Sequence, residues 1–169
     1  WLCLKQHFYF SVRNKRYFII ALSQYFYCFL SPRKSFHLRL LYCTLQLIDD
    51  IIDGDRKFPY DIEQYVQKLR QEDFRLLEKS DLKTLFIASL HIIDSKFICK
   101  VEAREKLLKL IDTMLIDYKR VDQKIILNSK ELTNQHYNTF NNSMDIVLMA
   151  IDSKLRSKDN QYLVEIFAW

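Results

Sequence analysis

Glycine and proline are almost missing from this sequence of 169 residues, which contains one glycine, Gly54, and two prolines. Tight β-hairpin turns depend on such residues, so their scarcity argues against a β-sandwich or a β-barrel. Apolar residues spaced three and four positions apart recur instead over long stretches. The sequence therefore predicts an all-α fold, organised as a single helical domain over residues 1–169.

Motifs of paired cysteines or histidines are also missing. The four histidines show no H-x-x-x-H spacing, and the four cysteines form no C-x-x-C pair (Cys3, Cys28, Cys43 and Cys99). Because these cysteines are scattered through helical segments, we expect buried, reduced thiols rather than a disulfide framework or a zinc site.

Acidic residues are absent from the first 48 positions, which carry seven Lys or Arg, so that Asp49 is the first acid. A basic segment of this kind can hold phosphate groups or meet an anionic membrane surface. Its bases are separated by long apolar runs, so no nucleic-acid partner is expected. The uncharged run 17–32 is shorter than the roughly 20 residues that span a bilayer. It predicts a buried helix, with membrane-surface contact as the alternative.

Capping signals and apolar periodicity divide the chain into helices. In the first third of the chain we predict one or two helices over 3–31 with a break near 13–15, a helix from about 34 to 53 that follows Pro32, and a loop over 54–60. Next come a helix from the Asp61 capping box to about Lys79 and a helix capped by Ser80. The remaining predicted helices run from Glu102 to about Ile126, from a cap at Ser129 to about Lys154, and over 160–169.

The sequence LIDDIIDGD, residues 47–55, places three carboxylates at the end of an apolar helix. Asp49 and Asp53 are four positions apart and so project from one helix face, and Gly54 suits a helix C-cap. Acids at a helix C-terminus oppose the macrodipole, an arrangement that favours a cation such as Mg²⁺. We expect Asp49, Asp50 and Asp53 to face one cavity between helices. A solvated acidic helix end is the alternative interpretation.

Residues 30–53 (LSPRKSFHLRLLYCTLQLIDDIID) resemble the first aspartate-rich region of the squalene/phytoene synthase family, which has the all-α isoprenoid synthase fold. The resemblance rests on the D-D-x-x-D spacing and on the leucine and tyrosine upstream of it, Leu30 and Tyr42. Further along, LIDTMLID at 110–117 is similar to the family pattern L-I-x-G-M-x-x-D, with Asp117 at the matching acid. The fold expected from the resemblance is a partial isoprenoid-synthase-like helical bundle.

The resemblance implies a site where Mg²⁺ grips the diphosphate of a prenyl substrate. The metal ligands would be Asp49, Asp50 and Asp53, and the substrate-binding residues would be Tyr42, Gln46 and Asp117. In that family the metal assists ionisation of the diphosphate, and two prenyl diphosphates condense head to head.

This chain departs from the family pattern at several positions. Ser35 and Gln46 stand where the family has arginines, and an amide offers phosphate only a neutral hydrogen bond. Asn141 and Asn142 fall where the family lines its prenyl tunnel with small residues. The second aspartate-rich motif would begin just after Trp169, so the resemblance covers about half to two thirds of a family domain.

Three functions remain open at this point. The departures favour a non-catalytic, membrane-associated subunit or assembly factor of a larger complex, and the family's mitochondrial branch suggests a respiratory complex at the inner membrane. Other protein subunits would then be its partners, and we expect the chain to be stable only against such a partner. The alternatives are a Mg²⁺-dependent prenyl diphosphate synthase completed by a missing segment or second chain, and a helical protein with a chance motif.

Overall fold

The computed structural model describes residues 1–13, 15–152 and 154–160, without the side chains of residues 16, 121, 122 and 160. This part of the chain contains seven α-helices and no β-strand, which confirms the all-α prediction. The helices are α1 (Leu2–Arg13), α2 (Lys15–Leu30), α3 (Pro32–Ile52), α4 (Ile62–Arg70), α5 (Asp81–Lys96), α6 (Lys100–Asp122) and α7 (Ser129–Ile151). The helix predicted over 160–169 lies outside the described residues.

Helix α3 is central and contacts α1, α2, α5, α6 and α7. Its apolar stripe supplies Leu41, Ile48 and Ile52 to a core that also takes Leu107 and Ile111 from α6. Since α3 carries the aspartate motif, its packing on five helices fixes the direction in which each carboxylate points.

Gly54 ends α3 as the sequence predicts. Its φ of +77° is left-handed, and its N–H donates to the carbonyl of Ile51 at 3.2 Å. The following turn folds back, so that the N–H of Arg56 donates to the carbonyl of Asp50 at 2.9 Å. The motif therefore occupies the last turn of α3 and the cap behind it.

Helix α4 is shorter than predicted, because it ends at Arg70 rather than near Lys79. Glu72 adopts a left-handed φ of 58°, and the N–H of Asp73 donates to the carbonyl of Lys68 at 3.1 Å. These contacts form a Schellman-type stop, which is hard to read from sequence because Glu rather than Gly holds the left-handed position.

The N-cap of α7 is Asn128 rather than the predicted Ser129. The side-chain oxygen of Asn128 accepts from the N–H of Glu131 at 2.9 Å, and the Glu131 carboxylate accepts from the N–H of Asn128 at 3.0 Å. This reciprocal pair is a capping box displaced by one residue from the predicted position.

Helix α2 differs from its prediction as a buried helix. Ala21 and Gln24 are buried, whereas one side of the helix exposes a row of apolar side chains, Phe18, Ile19, Leu22, Phe26, Phe29 and Leu30. The sequence pattern is uncharged on both sides, so it could not indicate which side faces the core. Within the described residues, no helix combines the length and hydropathy that crossing a membrane requires.

The four cysteines are free, but only Cys43 is buried. The other three, Cys3, Cys28 and Cys99, are partly exposed. The expectation of buried thiols is therefore wrong for three of the four.

Candidate functional site

Two of the three motif carboxylates share a cavity between α3, α6 and α7. Asp49 and Asp53 line it together with Asp117 of α6, and its volume is about 640 Å³. The expectation of one shared cavity therefore holds for Asp49 and Asp53. It fails for Asp50, which projects from a different side of α3.

Asp50 is bound to α1 instead. Its Oδ1 accepts from Arg13 Nη2 at 2.8 Å and from Gln46 Nε2 at 2.9 Å, and the residue is 1% exposed. Arg13 also reaches Asp55, with Nη2 3.1 Å from its carboxylate. The neighbourhood of Asp50 raises the pKa of the Arg13 guanidinium above its usual value despite partial burial of that group. An internal cation thus neutralises the middle acid of the motif.

Burial and neighbouring carboxylates disfavour the charged form of both cavity carboxylates. Burial raises the pKa of Asp49 to about 6, and the negative charges of Asp53 and Asp50 add to this effect. Burial likewise raises the pKa of Asp53, with Asp55 and Asp50 contributing. Such a pair gains stability from a proton or a cation between its members.

Gln46 links the motif to α2. Its Nε2 donates to Asp50 and, at longer range, to Asp49 Oδ2 at 3.3 Å and to the Tyr17 hydroxyl at 3.4 Å. Since all three acceptors lie within the protein, the Gln46 amide serves the folded structure at the place where the resembling family carries an arginine.

Tyr42 lies one turn before Gln46 on α3. Its ring stacks on His7 with centroids 5.7 Å apart, and burial raises the pKa of its hydroxyl above the usual value. This hydroxyl is buried and has no hydrogen-bond partner among the residues that the structure describes. A buried donor without a partner is costly, and a ligand oxygen beside it would relieve that cost.

An apolar groove of about 200 Å³ joins the acidic cavity. Asp49 and Met114 line both, so the groove opens directly beside the carboxylates. The remaining lining residues are Leu38, Leu41, Tyr42, Leu45, Gln46, Leu110, Ser143, Ile146 and Val147. A narrow apolar channel that leads from a charged mouth suits a ligand with an apolar tail and a polar head.

The asparagines that would face a hydrocarbon tail do not line this groove. Asn141 accepts a hydrogen bond from the Ser157 hydroxyl, and Asn142 is buried. From this segment the groove takes Ser143, whose hydroxyl is satisfied by the Thr139 carbonyl at 2.8 Å. The expected desolvation cost in the groove is therefore avoided.

Asp117 faces the cavity but is paired. Arg120, three residues later on α6, lies 3.2 Å from its carboxylate. Arg120 and His136 also line the cavity, and sequence reasoning missed both. The i, i+3 spacing of Asp117 and Arg120 is a readable signal for the first, whereas nothing local identifies His136.

The structure places the three motif carboxylates on different sides of α3. Asp50 Oδ1 is bound by Arg13, whereas Asp49 and Asp53 line the cavity. Across the residues described above, no group of three or more His, Cys, Asp or Glu side chains is placed to hold a metal ion. Magnesium binding by Asp49, Asp50 and Asp53 stays a prediction.

Comparison of the chain with protein-family models, with curated proteins and with solved structures finds no match in any of the three.

Proposed function

We propose that this chain is a non-catalytic relative of the squalene/phytoene synthases that acts as a subunit or assembly factor of a larger complex at the mitochondrial inner membrane. The observation that carries the proposal is the ion pair between Arg13 and the buried Asp50. It supplies from within the chain the positive charge that a metal would otherwise bring to the motif.

This ion pair opposes catalysis on electrostatic grounds. Arg13 already neutralises the Asp50 carboxylate, and its positive charge would repel a metal ion at this residue. The two positions at which the resembling family carries arginines are neutral here. Ser35 is fully buried, with its hydroxyl donating to the Gln24 carbonyl at 2.7 Å, and Gln46 is engaged by Asp50. The side chains of Ser35 and Gln46 thus make hydrogen bonds within the protein, where the family's arginines would bind phosphate.

A role in an assembly is supported by the outer surface of α1 and α2, which we call the α1–α2 surface. Its exposed apolar side chains are Leu4, Phe8, Val12, Phe18, Ile19, Leu22, Phe26, Phe29 and Leu30. Soluble monomers rarely expose contiguous apolar patches larger than a few hundred Å², and larger ones mark interaction sites. The segment that carries this surface has bases and no acids, which suits a position next to an anionic membrane.

Gene deletion with rescue tests the proposal. A strain of the source organism that lacks the gene should lose assembled respiratory complex on native gels. The wild-type chain should restore it, and so should the double variant Asp49→Asn/Asp53→Asn, since the proposal assigns no chemistry to these carboxylates. The variant Phe8→Ser/Phe26→Ser should fail, whereas the control Leu76→Ser/Ile98→Ser, on other exposed positions, should succeed.

Two outcomes of this experiment would contradict the proposal. Normal levels of every respiratory complex in the deletion strain would remove the assembly role. Rescue lost specifically with the Asp49→Asn/Asp53→Asn variant would point to chemistry at the carboxylates.

The second candidate is a Mg²⁺-dependent prenyl diphosphate synthase completed by another segment or chain. One observation favours it, namely that the cavity of Asp49 and Asp53 continues into the apolar groove. A diphosphate at the carboxylates, bridged by metal, would leave its prenyl tail in that groove. Binding of a prenyl diphosphate therefore separates the two candidates.

A further inference from the structure

A pair of cysteines lies where α1 packs on α3, away from the acidic cavity. The Cys43 thiol donates to the backbone carbonyl oxygen of Cys3, with Sγ 3.7 Å from that oxygen, so the two residues lie side by side. The two residues are 40 positions apart in sequence. The docking of α1 on α3 therefore creates the contact, and no local sequence motif predicts it.

His7 completes the cluster, because it follows Cys3 by one helical turn and projects from the same face of α1. Its Nδ1 lies 3.6 Å and its Nε2 3.7 Å from Cys43 Sγ, so the thiol lies against the ring close to both nitrogens. Nε2 also lies 3.1 Å from Gln24 Oε1, an atom that can only accept a hydrogen bond. Nε2 thus carries the proton, and Nδ1 is the unprotonated nitrogen near the Cys43 thiol.

His7 is a neutral neighbour of the two thiols. Burial lowers the pKa of His7, so the ring is neutral near pH 7. Its contacts with Gln24 of α2 and with the Cys43 thiol of α3 hold Cys43 in place beside α1.

The two thiols differ in access and in acidity. The hydrogen bond from Cys43 and the positive charge of Arg39 outweigh partial burial and lower the pKa of Cys3 to about 7. Cys43 is fully buried, and its contact with Cys3 and its burial raise the pKa of its thiol. Cys3 is thus the solvent-accessible nucleophile, and Cys43 is the buried thiol that can react with oxidised Cys3.

We propose that Cys3 and Cys43 are a peroxide-reactive pair that forms a disulfide between α1 and α3, with His7 as a residue that positions Cys43. This modification site is independent of the function proposed above, since it uses none of the residues of the acidic cavity.

The reaction proceeds in two steps with hydrogen peroxide as the oxidant. The Cys3 thiolate attacks one peroxide oxygen, the O–O bond breaks, and the departing hydroxide takes a proton to become water, which leaves a sulfenic acid on Cys3. The Cys43 sulfur then attacks the Cys3 sulfur, the S–O bond breaks, and the departing hydroxide takes the Cys43 proton to become water. Two thiols lose two electrons in all, and one peroxide becomes two waters.

Peptide mass spectrometry of the full chain after treatment with equimolar hydrogen peroxide tests the proposal. We expect a Cys3–Cys43 linkage that dithiothreitol reverses. Cys28 and Cys99 are matched controls because they are also partly exposed. The double variant Cys28→Ser/Cys99→Ser should therefore form the linkage at the wild-type rate.

Two further variants test the assigned roles. In Cys43→Ala the reaction should stop at the sulfenic acid, which dimedone labels on Cys3. In His7→Gln the disulfide should form about tenfold more slowly, with a longer-lived dimedone-reactive intermediate. Oxidation of Cys28 or Cys99 as fast as that of Cys3, or oxidation of Cys3 beyond the sulfenic acid without linkage to Cys43, would overturn the proposal.

Discussion

Arg13 of α1 and Asp50 of α3 form an ion pair that closes the middle of the aspartate motif, with Nη2 2.8 Å from Oδ1. The Asp50 side chain is almost fully excluded from solvent, whereas Arg13 is partly exposed. The pair therefore links α1 to α3, and it holds the Asp50 carboxylate outside the cavity that Asp49 and Asp53 line.

Removal of Arg13 should destabilise the protein markedly. In Arg13→Ala the Asp50 carboxylate stays buried with a neutral amide as its remaining partner, so we expect the free energy of unfolding to fall by about 3 kcal/mol. The double variant Arg13→Ala/Asp50→Asn removes the unpaired charge and should recover most of that loss. Urea denaturation measures both. Arg120→Ala, which breaks the more exposed pair with Asp117, is the control and should change stability by no more than about 0.5 kcal/mol.

A second buried ion pair should make stability depend on pH. Asp145 is 3% exposed, and it accepts from Lys106 Nζ at 2.6 Å and from the backbone N–H of Ser157 at 2.7 Å. Burial alone would raise the pKa of Asp145, but these hydrogen bonds outweigh it and lower the pKa. The native state then binds the proton less tightly than the unfolded state does. The stabilisation is therefore present above the usual aspartate pKa of about 4 and is lost as the pH falls.

The variant Asp145→Asn tests this expectation. At pH 7 it should unfold with a free energy about 2 kcal/mol below that of the wild type, because it loses two charge-assisted hydrogen bonds. The difference between the two proteins should shrink at pH 3. Asp112→Asn, at a more exposed ion pair with Arg70, should have little effect at either pH. A constant difference across the pH range would contradict the assignment.

The reactivity of Cys3 should rise through neutral pH. The groups that act on its thiol are Cys43, Arg39 and the N-terminal amino group, and all three favour the thiolate. Because the pKa of Cys3 is about 7, the rate of its alkylation by iodoacetamide should be half-maximal near pH 7 and level off by about pH 8. Quenched reactions read by peptide mass spectrometry measure this rate. A rate that still climbs steeply above pH 8 would show an ordinary thiol.

The α1–α2 surface should bind anionic membranes. We expect the chain to float with vesicles of phosphatidylcholine and cardiolipin, less so with phosphatidylcholine alone, and less at high salt. Phe8→Ser/Phe26→Ser should reduce binding about tenfold, since these side chains are 72% and 69% exposed. The control Leu76→Ser/Ile98→Ser changes side chains of similar exposure, 67% and 75%, and should bind as the wild type does. An equal loss of vesicle binding in the two variants would contradict the assignment of membrane binding to the α1–α2 surface.

Much of the motif helix could be predicted from the sequence because its signals are local. The stripe of Leu41, Ile48 and Ile52 reports a buried face through helical spacing alone, and Gly54 marks the cap. The placement of Asp49 and Asp53 on one face follows from the same periodicity. These features need no knowledge of the neighbouring helices.

The contacts that decide the chemistry could not be predicted in this way. Arg13 meets Asp50 across 37 residues, and Cys43 meets Cys3 across 40, through the docking of α1 on α3. Periodicity assigns a face to a helix but does not say which helix covers it. For the same reason the uncharged sequence of α2 predicts a buried helix, whereas one of its sides is exposed.

Calorimetric titration of the wild-type chain with farnesyl diphosphate, in the presence and absence of Mg²⁺, tests the central claim most directly. The account predicts no metal-dependent binding, because Arg13 neutralises Asp50 and the amide of Gln46 is engaged by the motif. Binding that appears only with Mg²⁺, with a Kd in the micromolar range or below, would contradict the account and establish a working prenyl diphosphate site.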